Sequence, residues 1–222
     1  MNKVLVIAVH PDDETLGCGG TLLKHKSLGN EIHWLIGTDV KEKDGFTTQQ
    51  VERRETEIKQ VEEKYNFDSV SRLKLSTMRV DEYSMSEIIG LISEVIKKIQ
   101  PNIIYLPFKT DVHSDHRKLF EAAYSCTKNF RYPCIKKVYM METLSETEFS
   151  LSTPDSYFIP NIFVDISEFL DEKLEIMKIY KNEISKHPFP RSLRNIEALA
   201  TFRGSTAGCE YAESFMLLKE IQ

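Results

Sequence analysis

No stretch of this chain comes near the roughly 18 consecutive apolar residues that a membrane-spanning helix requires, so nothing in it reads as a bilayer anchor. The strongest N-terminal apolar run, residues 4–9, stops at His10-Pro11-Asp12-Asp13-Glu14. It is too short for the hydrophobic region of a signal peptide and charged where a cleavage site would lie, so a cytoplasmic location is the expectation. Cysteine is scarce. Cys18, Cys126, Cys134 and Cys209 are well separated and form no C-x-x-C pair, which implies neither a thiolate zinc cluster nor a disulfide framework. Positive charge is in deficit too: 29 Lys and Arg face 34 Asp and Glu, for a formal net charge of -5. Nucleic-acid phosphates demand clustered basic residues, so the expected partner is a small molecule, with no nucleic acid and no membrane span. No repeat, low-complexity tract or linker divides the 222 residues, a length that suits one generous core, and 1–222 is read as a single domain.

What the chain does have is alternation. Residues 4–9 are apolar at every position and rich in β-branched side chains, the pattern of a strand buried on both faces of a parallel sheet. A Gly-rich turn over 17–20 leads into a helix over 21–26, with Gly29-Asn30 as its stop signal. A second strand (31–38) is followed by a charged helix (47–65) with Val51, Ile58 and Val61 at helical spacing. Next come a short strand (71–75) and an amphipathic helix (86–99) ended by Pro101. Residues 102–107 read as another buried strand, 117–129 as a helix, 136–141 and 161–166 as late strands, and 167–186 as one long helix. Residues 146–160, rich in Ser and Thr and without periodicity, read as a surface loop and a candidate substrate lid. The pattern predicts an α/β fold: a three-layer, Rossmann-like domain with a mainly parallel sheet and its active site at the carboxyl ends of the strands.

Two loops at such strand ends carry paired chemistry. His10 and Asp13 stand three apart after the first strand, and His113 and His116 stand three apart after a later one. Two imidazoles and a carboxylate with one position left open make a catalytic rather than a structural zinc site. His10, Asp13 and His116 meet that count, and Fe²⁺ also suits such a set. Asp12, next to a ligand but free to turn elsewhere, is the candidate general base toward a water whose pKa a zinc ion lowers to about 7. His113, as an imidazolium, is left to stabilise an oxyanion or to protonate a leaving amine, with Asp115 as the carboxylate that orients it. An isolated HPDDE would equally serve as an acidic turn starting a helix; the second His pair, at another strand end, favours function. His25 and His33 are read as structural. Gly17, Gly19 and Gly20 fit no phosphate-loop pattern and are read as permitting close packing.

HPDDETLGCGGTL after an N-terminal strand, together with a later HSDH, resembles the paired signatures of the LmbE-like, PIG-L family of zinc-dependent N-acetylglucosaminyl deacetylases. Further matches are Arg54-Glu55-Thr56-Glu57, HPFPRS at 187–192, Ala198-Leu199-Ala200, Arg203-Gly204 and Tyr211-Ala212-Glu213-Ser214-Phe215, so the likeness spans nearly the whole chain. Val9 stands where the family usually has Ala, and Ser114 where Pro is common; neither removes a functional group. The resemblance implies zinc on His10, Asp13 and His116, Asp12 as base, and His113 with Asp115 at the oxyanion and leaving group. It also implies substrate contacts from Arg54, with Arg53 adjacent, and from His187 and Arg191. Plainer readings exist, since Arg54 can pair with Glu57 along its helix and the prolines around 187–191 make a rigid turn unaided. The implied reaction is hydrolysis of the amide of an N-acetylated sugar, releasing acetate and the free amino sugar. The alternatives are a deacylase of another N-acyl substrate, such as a chitooligosaccharide or polysaccharide precursor, and a non-catalytic sugar-binding relative. A homo-oligomer is compatible with the resemblance and is not fixed by the residues.

Overall fold

The all-apolar N-terminal run forms strand β1 (Lys3–Ala8), in which every residue from Val4 onward is fully buried. The computed structural model describes residues 1–222. Parallel to β1 lie β2 (Glu31–Asp39), β3 (Ser69–Ser76), β4 (Ile103–Leu106) and β5 (Lys137–Met141), while β7 (Ala212–Glu220) runs antiparallel to both β5 and β6 (Ile162–Asp165). The order across the sheet is β3-β2-β1-β4-β5-β7-β6. Side chains alternate across the pleat, so Val4, Val6 and Ala8 enter one apolar core and Leu5, Ile7 and Val9 the other. Helices α1 (Asp13–Ser27), α2 (Thr48–Tyr65), α5 (Leu170–Met177) and α6 (Leu193–Ala207) contribute to the first core. The second is closed by α3 (Met85–Ile99) and α4 (Ser114–Ser125). In α3 the buried residues Ile88, Ile92, Ile96 and Ile99 form one stripe, and the Ser84 hydroxyl accepts from the Glu87 amide to cap the first turn. The three-layer, mainly parallel α/β domain is therefore present, and no helix is long and apolar enough to cross a membrane.

Three segments depart from the sequence-based expectation. The Gly-rich stretch is helical: α1 starts at Asp13 and passes through the glycines with a kink at Cys18 (φ -149°, ψ 22°). The glycines there permit close packing: a Cβ on Gly17 would sit 2.7 Å from Met141 Sδ, and one on Gly20 would sit 2.8 Å from Ile166 Cβ. The kink frees the Gly20 and Thr21 amides, which donate to the Glu213 carboxylate at 2.9 and 2.7 Å. Glu213 is in turn paired at 2.7 Å with Lys173, a buried cation that also donates to the Leu16 carbonyl. The expected long helix over 167–186 is shorter, because the chain turns after Met177 to bury Tyr180, whose hydroxyl donates to Glu14 Oε1 at 2.8 Å. Finally, α6 and β7 lie outside the elements expected from sequence, although Ser192 and Gly208 (φ 76°) are ordinary start and stop signals for the former. β7 is edged by charge and covers only one strand's width between β5 and β6, so its register depends on partners far away in sequence.

Candidate active site

The chain leaves β1 for β2 on one side of the sheet and reaches β4 on the other, so β1 and β4 flank the point where strand order reverses. A crevice opens at the carboxyl ends of strands there. Residues 9–13 follow β1 and residues 107–116 follow β4, which is why the two His motifs meet. Thr38 fixes the first loop, donating its amide and its hydroxyl to the Val9 carbonyl at 2.9 and 3.0 Å. Ser114 opens α4, three residues before the predicted start, so Asp115 and His116 lie in its first turn.

His10, Asp13 and His116 each offer a ligand atom, all within 4.8 Å of one another. His116 is fully buried, and its Nδ1 lies 2.8 Å from Asp111 Oδ2. A hydrogen bond there places the Nδ1 proton toward Asp111 and turns Nε2 inward. Nε2 has no hydrogen-bond partner and lies 3.3 Å from Asp13 Oδ2. Two acceptors this close require a cation or a proton between them. Without a metal His116 holds that proton: burial opposes the imidazolium, but Asp13 and Asp111 outweigh it and raise the pKa well above the ordinary 6.5. Burial acts to raise the Asp13 carboxyl, yet His116 and His10 hold it well below the usual range. Asp13 Oδ2 also accepts from the Val9 and His10 amides at 3.0 and 2.8 Å. The donor set therefore fits a divalent metal, two imidazoles and a carboxylate.

A second group, His10, His113 and Asp115, has similar spacing. Its carboxylate is already committed, since Asp115 accepts from the Met78 and Val80 amides at 2.7 and 3.2 Å. Asp115 Oδ2 lies 3.4 Å from His10 Nε2 and 4.0 Å from His113 Nδ1. The expectation that the Asp115 carboxylate orients His113 is corrected: the carboxylate lies against His10, as that of Asp111 does against His116, and Asp115 holds His113 through its backbone amide instead. His113 is held differently. Its Nδ1 accepts from the Asp115 amide at 3.1 Å, leaving the proton on Nε2. Burial and then His10 push its pKa down to about 4, which favours the neutral ring, an N–H donor, over the imidazolium expected from sequence.

Asp12 is buried between β1 and α1 at φ 142°, a strained conformation for a residue with a Cβ. Its Oδ2 accepts from Arg191 Nη1 at 2.8 Å. Burial, then Asp13 and Glu183, raise its pKa well above the ordinary carboxylate value against the pull of Arg191 and Arg54. Glu183, which sequence reading missed, pairs with both Arg54 and Arg191. Arg54 also donates to the Pro11 carbonyl at 2.9 Å and lies 3.3 Å from Glu57. Arg54 thus lines the cavity and also pairs with Glu57 along its helix. Arg53 is turned toward Glu57 and does not line the cavity. These residues enclose about 270 Å³, with Val40, Phe46, Met78 and Leu144 as apolar walls. Arg191 lines it; His187 is exposed and does not. The 146–160 loop begins on this wall with Glu146, which accepts from the His113 amide at 3.2 Å. Asp111 stood two residues before a predicted site residue and was legible by proximity; Glu183 carried no local signal.

Residues 5–127, more than half of the sequence, match the family PIG-L: GlcNAc-PI de-N-acetylase. The chain belongs to this family. PIG-L membership makes it an N-deacetylase, a hydrolase of amide bonds. It is 25% identical over 230 residues to diacetylchitobiose deacetylase of Thermococcus kodakarensis, covering 100% of this chain and 85% of that protein. Among solved structures it resembles N,N'-diacetylchitobiose deacetylase from Pyrococcus horikoshii, with TM-score 0.77, 20% identity and coverage of 98% and 84%. It also resembles GalB, the 4-carboxy-2-hydroxymuconate hydratase of Pseudomonas putida KT2440, with TM-score 0.75, 17% identity and coverage of 100% and 98%. At such identities the two structures speak for a common fold, and the hydratase shows that this fold hosts more than one chemistry.

Proposed function

We propose that the protein hydrolyses the amide of an N-acetylated sugar of the N-acetylglucosamine type, using a metal ion, zinc or Fe²⁺, held by His10, Asp13 and His116. The observation that carries this reading is the buried, partnerless His116 Nε2 facing Asp13 Oδ2 at 3.3 Å, with Asp12 beside it. When bound, the metal would lower the pKa of water and polarise the acyl carbonyl. Asp12, steadied by Arg191, accepts a proton from the attacking water as its oxygen bonds to the carbonyl carbon. The His113 Nε2–H donates to the carbonyl oxygen as negative charge grows there, which a neutral donor does without giving up its proton. Asp12 then passes the proton to the nitrogen as the C–N bond breaks, releasing acetate and the amino sugar. Asp111 and Asp115 keep the two ligand rings in place. The sugar is supported by what the family and the chitobiose deacetylases are named for.

The test is acetate and amine release by metal-loaded protein across a panel of N-acetyl sugars, beside Asp12→Asn. We expect the variant to keep its metal and lose about 10²–10⁴-fold in kcat, the range for a general base. An Asp12→Asn protein with full turnover, or a wild type that releases acetate from no sugar, would overturn the reading.

A further inference from the structure

Asp12, Asp13, Glu146 and Glu183 are the carboxylates lining the cavity, and three of them are matched by cationic or histidine partners. Asp12 is held by Arg191, Asp13 by His10, His116 and two amides, and Glu183 by Arg54 and Arg191. Glu146 has no basic partner. One of its oxygens accepts from the His113 amide, and the other has no donor within the protein. Glu146 belongs to neither group of side chains able to share a metal.

The backbone holds this carboxylate on a fixed turn. Ser145 adopts φ 70°, the Glu146 amide donates to the Thr143 carbonyl at 3.2 Å, and Val112 donates to the Glu146 carbonyl at 3.2 Å. Thr147 Oγ1 donates to Asp111 Oδ1 at 2.7 Å, tying the same turn to the carboxylate that backs His116. The start of the 146–160 loop is thus a wall bonded to the second His motif. Burial leaves the Glu146 charge poorly solvated, and its carboxyl is pushed up to about 7. The charges of Arg54 and Arg191 are matched by Glu183 and Asp12, so this wall offers an acceptor and no spare cation. A neutral group rich in O–H donors fits it; an anion does not.

We infer that Glu146 is a specificity-determining residue, whose free carboxylate oxygen accepts a hydrogen bond from a ring hydroxyl of the N-acetyl sugar. The inference rests on the amide-hydrolase reading above and adds the side chain that reads the sugar. A substrate lacking the hydroxyl would leave a half-buried carboxylate unpaired, the situation in which enzymes discriminate most strongly.

The experiment compares metal-loaded wild type, Glu146→Ala and Glu146→Gln on a sugar the wild type accepts and on its monodeoxy analogues. In the wild type, loss of one particular hydroxyl lowers kcat/KM by about tenfold or more, chiefly through KM. In Glu146→Ala the same deletion has less than about a twofold effect, and Glu146→Gln, which keeps an acceptor and the His113 contact, recovers part of the discrimination. If the alanine variant does not retain metal, Glu146→Asp replaces it: the shorter reach lowers discrimination if the inference holds, and unchanged discrimination overturns it. Equal losses on every deoxy analogue in wild type and variant also overturn it, while leaving the deacetylase reading intact. A wild type inactive on all sugars overturns both.

Discussion

Replacing Asp111 should loosen the metal without touching a ligand. Asp111 and His116 are both entirely buried, so when the carboxylate is truncated in Asp111→Ala no bulk water reaches the His116 Nδ1–H that it accepted at 2.8 Å. The ring then loses both its orientation and the negative charge that strengthens Nε2 as a donor toward a metal. Removing such an outer carboxylate typically weakens metal affinity 10–100-fold, about 1.4–2.8 kcal/mol. Asp111→Asn should be milder, near the lower figure: its carbonyl can still face His116, while its NH₂ turns to Thr147 Oγ1, which now donates to Asp111 at 2.7 Å and is able to accept instead. Competition for Zn²⁺ against a chromogenic chelator gives the affinities directly. Wild-type affinity in Asp111→Ala, or weaker binding in Asp111→Asn than in Asp111→Ala, would refute the argument.

Two further outcomes follow from particular groups. The raised pKa of His116 means that its contribution to the stability of the metal-free protein is complete below the ordinary value of 6.5 and is lost as pH rises through the raised value. A metal must displace that proton, so metal affinity should climb with pH until the raised value is passed and level off above it, with protons released on binding below it; calorimetry in buffers of different ionisation enthalpy would show this, and a pH-independent affinity below the raised value would contradict it. Gly204→Ala would place a Cβ 2.7 Å from Glu210 C and 2.8 Å from Cys209 O, backbone atoms that cannot swing aside. Urea unfolding should show a loss of about 1–3 kcal/mol despite the better helix propensity of alanine, and an unchanged or higher midpoint would count against the packing read here.

Local pattern carried the strand-helix alternation, because a buried parallel strand such as β1 must be apolar throughout and α3 must show its isoleucine stripe. The trio His10, Asp13 and His116 was legible because topology, not sequence proximity, unites loops at adjacent strand ends. Orientation was not. Which imidazole Asp115 backs depends on the Met78 and Val80 amides, donated by a turn with no sequence link to the motif. The helical state of the glycines was hidden because composition alone favours a turn, and the neighbours that demand glycine there, Met141 and Ile166, lie more than 100 residues away. Glu183 was invisible for a related reason: among 34 acidic residues, one that pairs with a partly buried Arg looks like those that face water.

The two walls of the cleft differ in how much change they permit. α1 begins with Asp13, and its glycines are wedged against Met141, Tyr65 and Ile166, three side chains from three separate parts of the fold. A larger side chain at any of these glycines would press on those neighbours and shift the helix that carries Asp13. The facing wall, with Val40, Phe46, Met78 and Glu146, is carried on segments between elements, where insertions and exchanges are tolerated. Descendants of this chain are therefore free to drift in what they bind while their hydrolytic chemistry stays put, and a library aimed at new acyl-sugar substrates should vary the second wall and leave the first untouched.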